Sequence, residues 1–223
     1  MALPAYEYPA PSPAPWAEVV AGHGPATVDE LLTLLDDGYV YEVVEGVLVR
    51  MAGSGGRATT LAARLLARLL VFVETARLGR VTGADGVYKF PHAETGLIPD
   101  LGFYGVEHLG QIVDENKPIP FAPDLAVEVA SPDQTPRMIA AKVRRYLGAG
   151  TRQVWVIWPQ SEHVDVWRAG VLTGPARGLT ISDILDGEDL IPGFSYPLAE
   201  LFRDPLAPAE PGAQEAAGPA GSA

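Results

Sequence analysis

Apolar and polar positions follow two different rhythms along this chain, and each change of rhythm marks an element. Residues 123–159, PDLAVEVASPDQTPRMIAAKVRRYLGAGTRQVWVIWP, show this most clearly. The near-continuous apolar run DLAVEVA predicts a buried strand, a Pro-bounded turn follows, a helical apolar period predicts an amphipathic helix, and QVWVIW predicts a second buried strand. Upstream, Thr27-x-x-Glu30 forms a capping box for a short helix carrying Leu31, Leu32, Leu34 and Leu35 that ends at Gly38. YVYEVVEGVLVRM predicts a hairpin turning at Glu45-Gly46. The glycine-rich loop over 53–56 leads into a helix over 59–78 with Leu61, Leu65, Val71 and Phe72 on one broad side and Gly79 as its stop. Short strands are expected over 87–90 and 101–104, and a connection with one helical turn over 106–122. HVDVWRAG and VLTG read as sheet edge, and 180–185 and 198–202 as short helices or turns. Interleaved strands and helices with hairpins predict an α/β or α+β fold, a mixed central sheet flanked by helices.

Composition sets the limits of this picture. A chain of 223 residues with 48% hydrophobic residues suits one domain with one sizeable core. The PAPSPAP stretch places residues 1–25 in an N-terminal tail, and Pro, Ala and Gly place 204–223 in a C-terminal one, leaving 26–203 as the folded domain. With no cysteine, thiolate chemistry is excluded. The first basic residue is Arg50, so a secretory n-region is missing, and the most apolar helical stretch, over 61–73, is short and broken by Arg64 and Arg68. The expectation is a cytoplasmic protein with no membrane span. A net charge of −12 argues against coating nucleic acid by charge alone, yet leaves room for a nuclease with a local basic patch. The loop over 53–56 lacks the Gly-Lys-Ser/Thr of a phosphate cradle, and no Gly-x-Ser-x-Gly elbow is present. His23, His92, His108 and His163 lack metal-ligand spacing. Trp155, Trp158 and Trp167 fit core or dimer packing better than base stacking.

The chemistry lies where charge interrupts the apolar pattern. Along DLAVEVA, Asp124, Ala126, Glu128 and Ala130 share one face, and a carboxylate in the middle of a doubly covered strand must be neutralised by a cation or by a buried basic partner. On the following helix Lys142 falls between Met138 and Tyr146 on the apolar arc with Ile139, Val143 and Leu147, while Arg137 and Arg144 lie opposite. Its ammonium is expected to point at the sheet, toward Glu128. Snorkelling along apolar surface is the competing account of Lys142, and an ion pair with it the competing account of Glu128. A third acid, Asp100, follows a proline in LIPDLGFYG. Mg²⁺ takes oxygen ligands, with one or two carboxylates and substrate phosphate in its shell, and Asp100 with Glu128 are candidates for that pair. Asp124 completes a literal Pro-Asp dipeptide, but lies about 13 Å along the strand from Glu128, too far to share an ion. It reads instead as a strand-start acid bonded to a nearby amide. Glu42, aligned with Val40 and Val44, is an accessory candidate.

From about Thr27 to Phe202 the order YEVVEGVLV, LIPDLGFYG, PDLAVEVASPDQT, K..RYL.AGT..VWVIWP and DLIPGF resembles the Uma-two family of restriction endonuclease-like proteins, in the PD-(D/E)XK superfamily. The resemblance implies a restriction-endonuclease-like fold and a Mg²⁺- or Mn²⁺-dependent endonuclease that hydrolyses DNA. It further implies that Asp100 and Glu128 bind the ion, that the Val129 carbonyl adds a ligand, and that a lysine migrated onto the helix, Lys142, assists the attacking water; the superfamily's usual lysine position is Ala130 here. A homodimer is implied by the same analogy. Two positions depart from the family pattern. Arg57 and Ala58 stand where a histidine is frequent, and Trp158 precedes Pro159 where an Asp is frequent. An alternative reading is an inactive descendant that keeps these charges as a buried polar network and serves as a binding or oligomerisation module.

Overall fold

The structure is a computed structural model, and it describes residues 14–34, 37–171, 173–204 and 206. Strand β1 (Glu18–Val19) is followed by a 3₁₀ helix, Val28–Leu32, and by the hairpin of β2 (Tyr41–Val44) and β3 (Val47–Arg50). After the long helix α1 (Gly56–Ala76) come β4 (Gly79–Thr82), β5 (Tyr88–Lys89), β6 (Gly96–Leu97) and β7 (Leu101–Gly105). A second 3₁₀ helix, Val106–Gln111, leads toward β8 (Leu125–Val129), α2 (Pro136–Gly148), β9 (Gln153–Trp158) and β10 (His163–Arg168). The chain closes with β11 (Arg177–Leu179), β12 (Ile184–Asp186), β13 (Ser195–Pro197) and α3 (Leu198–Phe202).

A six-stranded sheet in the order β11-β10-β9-β8-β7-β4 forms the centre, and a five-stranded sheet in the order β1-β3-β2-β6-β5 lies beside it. Within the central sheet only β8 and β9 run parallel; the other pairings are antiparallel. A parallel neighbour needs a crossover, and α2 supplies it. The alternation along β8 divides the core. Leu125, Val127 and Val129 face a cluster built on α1 and α3, while Ala126 and Ala130 face a second cluster shared by α2 and the small sheet. Glu128 stands on this second face between two alanines, whose small side chains let α2 and the small sheet close over the strand.

Several expectations are met for their physical reasons. The turn at Glu45-Gly46 has positive φ at both residues, 53° and 75°, as a tight hairpin requires. Helix α2 begins at Pro136, with the Thr135 hydroxyl accepting from the Met138 N–H at 3.3 Å. Other expectations are corrected. The short helix after Thr27 is a 3₁₀ turn, and it carries the expected capping box, in which the Glu30 carboxylate accepts from the Thr27 N–H at 3.0 Å. Gly79 is not the stop of α1: Arg77 takes the left-handed conformation at φ 55° and Gly79 opens β4, where a Cβ would lie 2.0 Å from the Tyr104 carbonyl oxygen. Val71 points outward, 66% exposed. The segment 180–185 runs into strand β12, and the sheet edge expected at VLTG is formed by β11.

The N-terminal tail expected over residues 1–25 also needs correction. Over residues 14–20 the chain is packed on the body, with Ala14 and Trp16 buried and β1 paired antiparallel with β3, whereas residues 21–25 are exposed. Burial of one large indole outweighs the Pro-rich backbone around it. Residues 1–13, 205 and 207–223 of the expected tails, Leu35, and Leu172 of the VLTG stretch lie outside the described residues.

Candidate active site

Lys142 and Glu128 meet in the core between the central sheet and α2. Both are nearly inaccessible, at 2% and 6% exposure. The ammonium Nζ lies 2.9 Å from Glu128 Oε1 and 3.0 Å from Oε2. One helical turn later Tyr146 donates its hydroxyl to Glu128 Oε1 at 2.8 Å, so a single face of α2 delivers two donors to one carboxylate.

A second acid joins from the small sheet. Glu42 on β2 is fully buried, and its Oε1 lies 3.0 Å from Lys142 Nζ. The Ile98 N–H donates to Oε1 at 2.9 Å and the Trp16 indole Nε1–H to Oε2 at 3.0 Å. Asp100, half-buried just before β7, accepts from the Val129 N–H at 2.7 Å. That bond ties the end of β8 to the loop carrying Asp100. Val129 is thus joined to Asp100 through its N–H.

The electrostatics follow from burial and from an uneven count of charges. Burial pushes the Asp100 carboxyl up, opposed by the Val129 amide and by Lys142. Burial also pushes Glu128 up to about 7, with Asp100 and Glu42 working against the pull of Lys142. Lys142 itself is disfavoured as a cation by burial, but Glu128 and Glu42 outweigh this and hold its pKa above the ordinary value. Burial and the neighbouring carboxylates raise Tyr146 well above its usual range, so its hydroxyl stays protonated and donating. Three carboxylates face one ammonium, which leaves two negative charges in excess when all are ionised. A divalent cation carries that charge, and carboxylate oxygens are the donors a hard cation prefers, so this donor set fits Mg²⁺ or Mn²⁺.

The family model described as "Putative restriction endonuclease", Uma2, matches residues 28–199. The chain belongs to the Uma2 family. Among solved structures, the crystal structure of "a putative nuclease belonging to DUF820" from Anabaena variabilis superposes with a TM-score of 0.65 at 20% identity, over 80% of this chain and 98% of that one. No curated protein matches the chain. This Uma2 chain thus shares the mixed α/β fold of that structure, within a family whose model is described as a restriction endonuclease one. Among its described residues no helix is long and apolar enough to cross a membrane.

Set against the sequence expectations, the Uma2 fold brings Glu42, Asp100, Glu128 and Lys142 into one cluster. Asp124 belongs elsewhere. Its Oδ2 accepts from the Gly105 N–H at 2.8 Å, the amide-bonded strand-start role expected of it. With Glu107 and His108 it forms the one group of three such side chains whose ligand atoms lie within 4.8 Å among the described residues. In that group the Gln111 Nε2–H donates to His108 Nδ1 at 3.0 Å, and the acids around Lys142 do not converge to the same spacing. Two members of the main cluster escape a sequence reading. Tyr146 lies on the apolar arc and reads as core, and Trp16 lies in a stretch whose composition reads as tail.

Proposed function

We propose that this chain is a Mg²⁺- or Mn²⁺-dependent endonuclease that hydrolyses DNA phosphodiester bonds. In this reading Asp100 and Glu128 hold the cation, with the Val129 carbonyl as a further oxygen donor and Glu42 as an accessory acid. Bound there, a divalent cation would supply positive charge for the phosphate and lower the pKa of a water. Lys142 orients the attacking water and offsets charge developing on the phosphate. Tyr146 and the Ile98 and Val129 amides fix the three carboxylates, so that little reorganisation accompanies the reaction.

The observation that carries this reading is the excess of acid in a buried site. A structural ion pair needs one carboxylate for Lys142, and two more are present at a cost of several kcal/mol unless they are neutralised. The second reading, an inactive nuclease-fold module for binding or oligomerisation, draws on a different observation: each of the three carboxylates already has a protein donor. DNA as substrate and a homodimeric assembly both extend the family likeness; sedimentation measures the second.

The test compares wild type with Glu128→Gln and Lys142→Met on plasmid and single-stranded DNA, with Mg²⁺, Mn²⁺ or EDTA. Metal-dependent cutting by wild type, reduced at least a hundredfold in both variants, is the expected result. Cutting that survives in both variants removes the site assignment. Absence of cutting together with no calorimetric Mn²⁺ binding favours the module.

A further inference from the structure

We infer that residues 14–20 form a removable strap over the candidate active site, with Trp16 as its latch, and that nucleic acid reaches the cluster only when the strap lifts. The inference rests on the nuclease reading and adds to it a gate that lies outside the family match, which begins at residue 28. Asp100 is half-buried, but Glu42, Lys142 and Glu128 are 0%, 2% and 6% exposed, so a phosphodiester does not reach that deeper part of the cluster in the closed state. Trp16 is 3% exposed and donates its indole N–H to Glu42 at 3.0 Å, which makes this segment part of the cover over the cluster.

An open depression of about 440 Å³ adjoins the strap, lined in part by Trp16, Glu18, Arg50, Met51, Asp133 and Met138. Met138 lies one helical turn before Lys142 on α2. Trp16 borders both the depression and the buried cluster, so its side chain is the partition between open cleft and acids. Lifting that indole would open Glu42 to the depression.

The strap is also the element best suited to move. Its ladder to β3 is two residues long, both with exposed side chains, supplemented by the Val20 N–H to Leu48 carbonyl bond at 3.0 Å. The Glu18–Arg50 ion pair at 2.5 Å is surface-exposed and contributes little. The Arg145 guanidinium lies 5.9 Å from the Trp16 ring centroid. Short edge pairings of this kind open at low free energy while the core stays folded.

The chain has no cysteine, so a single engineered disulfide reports on the strap without competing thiols. Glu18 and Arg50 are direct partners across β1 and β3, at a spacing a disulfide spans. In the full chain carrying Glu18→Cys and Arg50→Cys, oxidation should lower metal-dependent cleavage of DNA at least tenfold, and dithiothreitol should restore it. Cleavage at the same rate in the oxidised and reduced forms overturns the strap. Hydrogen exchange gives a second readout independent of any activity: the amides of 18–20 should exchange at least a hundredfold faster than those of β2 in wild-type protein. Equal protection also overturns the strap, and does so whether or not the chain proves to be a nuclease.

Discussion

Tyr146 shows how a side chain that reads as core serves a site. Its ring packs edge-on against Phe90 at 5.6 Å between centroids, while its hydroxyl holds Glu128. Tyr146→Phe keeps the ring and removes only the donor. Calorimetry should then show Mn²⁺ affinity falling about tenfold, the usual scale for a group that orients a metal ligand. Chemical denaturation of the metal-free variant should show a loss of only about 1–2 kcal/mol, because Lys142 still satisfies Glu128. Unchanged Mn²⁺ affinity would confine Tyr146 to packing. Glu128 and Lys142 are legible in the sequence because alternation and helical periodicity assign each a face, and a charge on an apolar face stands out. Glu42 is legible for the same reason. Asp100 has no such signal, since an acid after proline is ordinary in a turn, and it is the family resemblance that singles it out. Trp16 is illegible because one indole in a Pro-rich stretch has no period, and its burial depends on β3, far away in sequence.

Among the elements, α1 and β4 meet at a junction that the sequence describes only in part. Gly79 reads as a helix stop, but the stop is Arg77, whose N–H donates to the Glu74 carbonyl while the Leu78 N–H reaches back to the Val73 carbonyl at 3.0 Å. A non-glycine residue at φ 55° is under strain there. Arg77→Gly should therefore stabilise the protein by about 0.5–1 kcal/mol, read from a urea midpoint that rises with unchanged slope. A lower midpoint would mean that the arginine side chain contributes more than the backbone strain costs. The strong periodic elements, α1, α2, β8 and β9, are visible in the sequence because packing repeats along them. The two-residue strands β1, β5 and β6 are too short to show a period, and they exist because the neighbouring strand offers its edge.

For the whole molecule, the buried acids set a pH dependence. With Glu128 raised to about 7 from an ordinary value of 4.5, the folded state binds this proton more tightly than the unfolded chain. The stability it confers is complete below about pH 4.5 and is lost as pH rises through about 7; Asp100, also raised, adds in the same direction. In EDTA, wild type should lose melting temperature relative to Glu128→Gln as pH rises from about 5 to 7.5. Parallel curves for the two proteins would show that Glu128 is ionised at the same pH folded and unfolded. The parallel β8–α2–β9 unit carries a last consequence, one of folding order. Glu128 and Lys142 are only 14 residues apart, so their pairing closes a short loop and joins one negative to one positive charge. Glu42 and Asp100 come from outside that unit and arrive when the small sheet and its loop dock onto it. A folding nucleus built on this unit pairs its one buried acid, Glu128, with its one buried base, Lys142, and the surplus carboxylates of the cluster enter only late. A cation held by those late acids would act after the transition state, so adding Mn²⁺ should slow unfolding and leave the rate of folding nearly unchanged, as stopped-flow kinetics would show.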